Sequence, residues 1–136
     1  MPIEYAIRTK LVGAAAVTAI VGTRIHAIKL PQNATMPAIT YQVVSDIPEY
    51  DMEGDAGVST MRLQVECHDR ERQGYDAYNG ARVLGAAVRA ALSGFKGTIG
   101  SDTIQSLFLI NTRSLHDDGS GIFRAQMDYS IGYPDP

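Results

Sequence analysis

An α+β domain, with two helices packed on one face of a mostly antiparallel β-sheet, is what the order of hydrophobic periods along these 136 residues implies. Two stretches repeat apolar residues every three or four positions, as a helix with one buried side does. Several others alternate with a period of two, as half-buried strands do. The last two strands are separated by a short Asp- and Gly-rich segment, which implies an antiparallel return.

The first helical stretch runs from Ile3 to Val21, with Ile3, Ile7, Leu11, Ala14, Ala15, Thr18 and Val21 on one stripe and Gly22 ending it. Its Ala14-Ala15-Ala16 run lets the helix lie close against another surface. A short extended piece, Arg24 to Ile28, leads into Leu30 to Pro37, where two prolines push their preceding residues out of helical space and predict an ordered loop. Ile39, Tyr41 and Val43 then alternate with Thr40, Gln42 and Val44 as a strand.

Asp46, Glu49, Asp51, Glu53 and Asp55 follow with no cation among them and with Pro48, Gly54 and Gly57 as breakers, so the segment from Asp46 to Gly57 reads as an exposed acidic loop. Beyond it Met61, Leu63, Val65 and Cys67 alternate with Thr60, Arg62, Gln64, Glu66 and His68, one side core and the other wet. The second helical period spans about Asp69 to Ser93, carried by Ala77, Ala81, Leu84, Val88, Ala91 and Leu92. Gly74, Gly80 and Gly85 each cost it roughly 1 kcal/mol against Ala. Burying each of Leu84, Val88 and Leu92 outweighs that at roughly 1.5–3 kcal/mol.

Gly94, Gly97 and Gly100 punctuate a turn and a short strand, Gly97 to Ile99. Ile104 to Leu115 is apolar on both faces and reads as a central strand. The segment from His116 to Gly121 is a hairpin loop. The returning strand alternates Phe123, Ala125, Met127, Tyr129 and Ile131 against Arg124, Gln126, Asp128 and Ser130.

The length suits one domain, residues 1–136. A composition 45% hydrophobic and 20% charged is that of a folding chain, and a net charge of −3 gives no overall basic field for a phosphate backbone. One cysteine allows neither an internal disulfide nor a Cys-rich zinc site, and the reading is cytosolic synthesis. The N-terminus carries no export pattern, and Leu11 to Gly22 is too short to cross a bilayer core of about 30 Å, so no membrane role is expected.

Candidate chemical groups each have a plain structural alternative. His26 lacks an acid or second His at helical or strand-pair spacing and reads as structural. Cys67 and His68 point to opposite faces of a strand, so a thiolate–imidazole pair is not set up and Cys67 reads as buried and inert. His116-Asp117-Asp118 clusters possible ligands in a loop without a distant partner and reads as a solvated turn. Asp51 to Asp55 lacks the spacing and terminal Glu of a calcium loop, and Gly94-x-x-Gly97-x-x-Gly100 precedes a strand instead of opening a helix. Gly-x-Ser-x-Gly and His-Glu-x-x-His are absent, and the Asn33-Ala34-Thr35 sequon has no meaning without secretion. No catalytic residue, metal or cofactor is expected.

The run from Gly22 through Arg24-Ile25, Leu30-Pro31-Gln32, Ala34-Thr35 and Pro37-Ala38-Ile39 to Tyr41 resembles the G-x-R-I-x-x-x-x-L-P-Q-x-A-T-x-P-A-I-x-Y signature of bacteriophage tail-completion proteins, or tail terminators, of long-tailed phages. The strand Met61 to Cys67 is similar to that family's R-x-Q-[VI]-[DE]-C. Val88 to Gly97 is similar to its V-R-x-A-L-x-G-F-x-G. The likeness covers nearly the whole chain in order. It departs at His68, where an aromatic residue is common, and at Gly74 and Gly80.

The resemblance implies a small α+β virion subunit, assembled in the host cytoplasm, that forms a homo-oligomeric ring, a hexamer on the tail. The ring would cap the head-proximal end of the tail tube, stop its polymerisation and meet the head–tail connector or stopper protein. DNA would pass through its lumen, and no covalent chemistry is implied. Capping requires a surface that matches the tube on one side and differs on the other. Exposed loops are ready sources of such contacts. Leu30, Pro31, Gln32 and Met36, with Asp118 at the hairpin tip, are the candidate ring or tube interface. The acidic segment with Asp46, Glu49, Asp51, Glu53 and Asp55 is the candidate lumen lining or neck contact. The alternatives are another neck ring, such as a head-side stopper, and a stand-alone cytosolic ligand-binding or regulatory domain.

Overall fold

The computed structural model describes residues 3–134, apart from the side chains of residues 55 and 56. The first helical period is two helices, α1 (Ile3–Val12) and α2 (Ala15–Val21). Gly13 closes α1 by donating to the Thr9 carbonyl, and Ala14 turns extended at φ −90°, ψ 111° before its own carbonyl starts α2. The expectation of one continuous helix there is corrected: the stripe of apolar residues survives the break because both helices bury the same side, but glycine holds the backbone poorly enough for it to turn.

Strand β1 (Ile25–Ala27) pairs in parallel with β2 (Ala38–Asp51), and β2 pairs antiparallel with β3 (Gly54–Arg70). Helix α3 (Ala77–Leu92) follows, then a small hairpin of β4 (Gly97–Ile99) and β5 (Asp102–Ile104). The chain ends in a long hairpin, β6 (Ser106–Asp117) and β7 (Ile122–Pro134). The main sheet has the order β1-β2-β3-β7-β6, every pair but the first antiparallel. The α+β class therefore holds, with three helices in place of two on one face.

Three further expectations change. The segment from Asp46 to Gly57 is no loop: it is the outer part of the β2–β3 hairpin, where pairing such as Asp46↔Met61 and Tyr50↔Asp55 overrides the local breakers. Pro48 is tolerated because β1 pairs only Ile39 to Tyr41, leaving β2 an edge strand farther along. The second helix starts later than its period suggests. β3 continues to Arg70, Gly74 takes φ 72° in the intervening turn, and the Asp76 carboxylate caps α3 by accepting from Asn79 N–H. Finally, β6 is an edge strand and β3 and β7 are central. Phe108 and Ile110 are apolar yet exposed, and the ladder slips between Leu109 and Asn111 at a bulge.

The core lies between the helices and the sheet. Ile7, Leu11, Val17, Leu84, Val88 and Leu92 pack onto the inward residues of the strands, among them Ile39, Leu63, Val65, Cys67, Tyr129 and Ile131. Gly85 lets α3 approach β7, since a Cβ there would already touch the Ala125 Cβ at 3.4 Å. Gly80 allows no side chain at all: its Cβ would collide with both Asp69 Oδ2 and the Tyr75 hydroxyl. The two glycines that weaken the helix in isolation are therefore where it meets the sheet most closely.

Candidate assembly surfaces

Strand register sorts the expected surface residues onto two ends of the sheet. Ala38 pairs His68, His68 pairs Arg124 and Arg124 pairs Leu115, so the loop from Leu30 to Pro37 and the β6–β7 turn with Asp118 belong to the same end. The outer β2–β3 hairpin belongs to the other. The structure thus places Leu30, Pro31, Gln32 and Met36 at the sheet end that carries Asp118, and separates all five from the acidic segment.

The loop is held from inside. Arg24 Nε donates to the Pro37 carbonyl at 2.9 Å and Arg24 Nη2 donates to the Ile20 carbonyl at 3.2 Å, tying the end of α2 to the start of β2. The Met36–Pro37 peptide is cis. Pro31 and Gln32 are exposed, whereas Leu30 and Met36 are half-buried. In the turn, Asp117 accepts from Gly119 N–H at 3.1 Å and from the Ser120 hydroxyl at 2.9 Å. The Ser120 hydrogen bond, followed by that of Gly119, holds the Asp117 carboxyl below the usual carboxylate range. Asp118 reaches His116 Nδ1 at 3.0 Å and is otherwise in solvent, and the His116 ring rests on Phe123.

At the opposite end β2 and β3 run on past Val58↔Pro134, the last described pair with β7, to a two-residue turn at Met52-Glu53. Four residues beyond that pair make an arm of roughly 13 Å. Glu49, Asp51 and Glu53 are exposed on it, together with Tyr50 and Met52, and Ile47 is exposed just before it. Asp51 Oδ1 accepts from Glu53 N–H at 2.8 Å across the turn, and Asp46 accepts from the Tyr133 hydroxyl. The side chain of Asp55 lies outside the described residues.

The sheet face away from the helices carries a connected polar row. Thr40 Oγ1 and His68 Nε2 are 2.9 Å apart, and His68 stands 3.6 Å from Glu66. Glu66 accepts from Arg124 at 3.2 Å and from Gln126 at 2.9 Å, and Gln126 in turn accepts from Arg113. Thr40, His68 and Gln126 are buried, so this face is wet only in part. Burial lowers the His68 pKa to about 4, against the pull of Glu66 and with the help of Arg124, and leaves the ring neutral at pH 7.

Inside, Cys67 is fully buried and its thiol is pushed far up by desolvation, with Glu66 adding to the effect. A thiolate does not form there. Burial likewise pushes the Tyr129 hydroxyl up to about 12. His26 lies half-buried in β1 beside Thr40 of β2. Among the described residues, no group of three or more His, Cys, Asp or Glu could hold a metal ion, and no helix is long and apolar enough to cross a membrane.

A groove of about 200 Å³ opens between α3 and β6, because α3 rests on β3 and β7 and leaves the inner side of β6 uncovered. Arg82, Gly85, Ala86 and Arg89 form one wall, and Thr112 to Ser114 the other. Sequence reasoning missed both this groove and the apolar residues of the arm. Their signals were present: Arg82 and Arg89 stand seven residues apart on one helix side, and Met52-Glu53 sits between two alternating runs as a tight turn.

Comparison with known proteins adds three findings. The family model described as "Tail completion protein gp17" matches residues 5–133. Among solved structures, a chain of the "Virion of native gene transfer agent (GTA) particle" superposes with a TM-score of 0.73 over 96% of this chain and 93% of that one, at 14% identity. A likeness at that identity is a likeness of fold. No curated protein matches the sequence.

Proposed function

The chain belongs to the tail completion protein gp17 family, a structural component of a phage tail, and from that premise we propose that it caps the head-proximal end of the tail tube as a ring. In that role it stops tube polymerisation, offers the surface on which the head is joined, and performs no covalent chemistry. The match to a chain of a gene transfer agent virion fits a part built into a particle of this kind.

The observation that carries the proposal is the unlikeness of the two sheet ends. One presents a neutral, Arg24-braced loop and a tight Asp117 turn. The other presents a projecting acidic arm. A cap needs this difference, since a part with two like faces would continue the tube it is meant to end. Repeated around a ring, Glu49, Asp51 and Glu53 form a belt of negative potential, suited to lining a DNA passage or to meeting a basic neighbour in the neck.

The test is to incubate the purified protein with tail tubes and image them by negative-stain electron microscopy. The expected result is density at one end of each tube and arrested growth there. Binding at neither end, or at both, overturns the reading. Binding only to portal-bearing heads identifies a head-side stopper instead.

A further inference from the structure

We propose that the β2–β3 arm of one copy docks into the α3–β6 groove of the next, with Met52 seated between helix and strand and Glu49, Asp51 and Glu53 facing Arg82 and Arg89. The proposal deepens the ring reading and rests on it.

Charge complementarity commits the groove to this occupant. Among the described residues, neither Arg82 nor Arg89 forms an ion pair. Arg82 lies 6.0 Å over the Tyr78 ring and both arginines are exposed, so the groove presents cationic charge that the chain does not neutralise itself. The arm carries the opposite charge and exposes Tyr50 and Met52 beside it. Between the arginines the exposed groove wall is Ala86, beside the point where Gly85 rests on Ala125, so an apolar side chain seated there meets only small groups.

The placement of the two parts sets the symmetry. The arm grows from β2 and β3, and the groove lies along β6, the edge strand beyond β7. Arm and groove are different patches of one surface, so their contact is head-to-tail, the kind that closes into a ring after a fixed rotation. An acidic tip meeting arginines also predicts assembly that weakens as salt rises.

The test mixes two single-cysteine additions, Met52→Cys on one protein and Ser114→Cys on another, under mild oxidation, alone and on tail tubes. Cys67 is buried and does not compete. A disulfide-linked heterodimer is expected, and a control pair of Asp118→Cys with Ser114→Cys gives none. In parallel, E49R/D51R/E53R and R82E/R89E each reduce ring assembly at least about tenfold, and their combination in one chain restores it. Rings that form without the cross-link and ignore both reversals overturn the docking and leave the ring reading standing. A cross-link without rings on tubes supports the docking and overturns the ring. If neither forms, both fall. Loss of tube or nucleic-acid binding in R82E/R89E alone, with assembly intact, assigns the groove to another partner and overturns the proposal.

Discussion

Asp69, wholly buried at the end of β3, accepts a hydrogen bond from the Tyr75 hydroxyl, and the backbone of α3 passes so close that position 80 has no room for a methyl group. Arg72 completes the junction, its guanidinium 3.6 Å from Asp69 and 3.9 Å over the Tyr75 ring. Sheet and helix are locked by a charged group that the apolar period of α3 does not include.

Gly80→Ala is therefore expected to destabilise the fold by about 2–3 kcal/mol, at the upper end of overpacking costs, because the groups in the way are a buried carboxylate and its partner. Gly85→Ala, meeting Ala125 at 3.4 Å, costs less. Tyr75→Phe removes a donor from a buried acceptor and costs about 1–3 kcal/mol. Urea unfolding midpoints of the three variants check the order.

His68 makes stability depend on pH. Its folded pKa of about 4 lies below the ordinary 6.5, so the unfolded chain binds the extra proton first as pH falls. The His68 contribution is complete above about pH 6.5, declines from there to about pH 4, and is flat below. Carboxylates titrate in the lower part of that range, so the measurement is the difference between wild type and His68→Gln in urea midpoints from pH 7.5 to 4. That difference should change only inside the window.

Thiol labelling reports the burial of Cys67. Native protein should resist a thiol-specific reagent at pH 8 and react stoichiometrically in urea, with a native-state rate that follows unfolding. Fast labelling without denaturant is the contrary result.

Arg24→Lys should behave like Arg24→Ala. One guanidinium reaches two carbonyls, Pro37 and Ile20, that a single ammonium on a flexible stem does not span in the same geometry. Each variant should lose about 1–3 kcal/mol and raise proteolysis between Lys29 and Met36.

The arm tip tests the opposite expectation. Glu49→Gln with Asp51→Asn and Glu53→Gln should move monomer stability by no more than about 0.5 kcal/mol, since all three side chains are exposed and the amide oxygen of an asparagine at position 51 can still accept from the backbone N–H of residue 53. Head joining or DNA ejection should fall in the same variant. Asp46→Asn is kept separate because that carboxylate accepts from Tyr133.

Period was legible where burial imposed it. Met61 to Cys67 and Ala125 to Ile131 alternate because only one face meets the helices, and the inward residues of both strands are buried as expected. The Leu30–Pro37 loop and the Asp117 turn were legible from proline, aspartate and glycine. What misled was local composition set against distant pairing. Acidic residues with Pro48 look like a loop until β3 supplies the partner strand, and Ile104 to Leu115 looks central because Phe108 and Ile110 are apolar without being covered. The Asp69–Tyr75 junction and the Arg82–Arg89 groove depend on contacts between elements, which no single stretch of chain contains.

Ile110 stands at a slip in the outermost strand, which divides β6 into a short run from Ser106 to Leu109 and a longer one from Asn111 to Asp117. A straight strand offered by a stray molecule can match one run or the other, never both in a single alignment, so amyloid-like stacking along this border stalls after a few bonds. For the capping role proposed above, such a border keeps the part from seeding growth of its own.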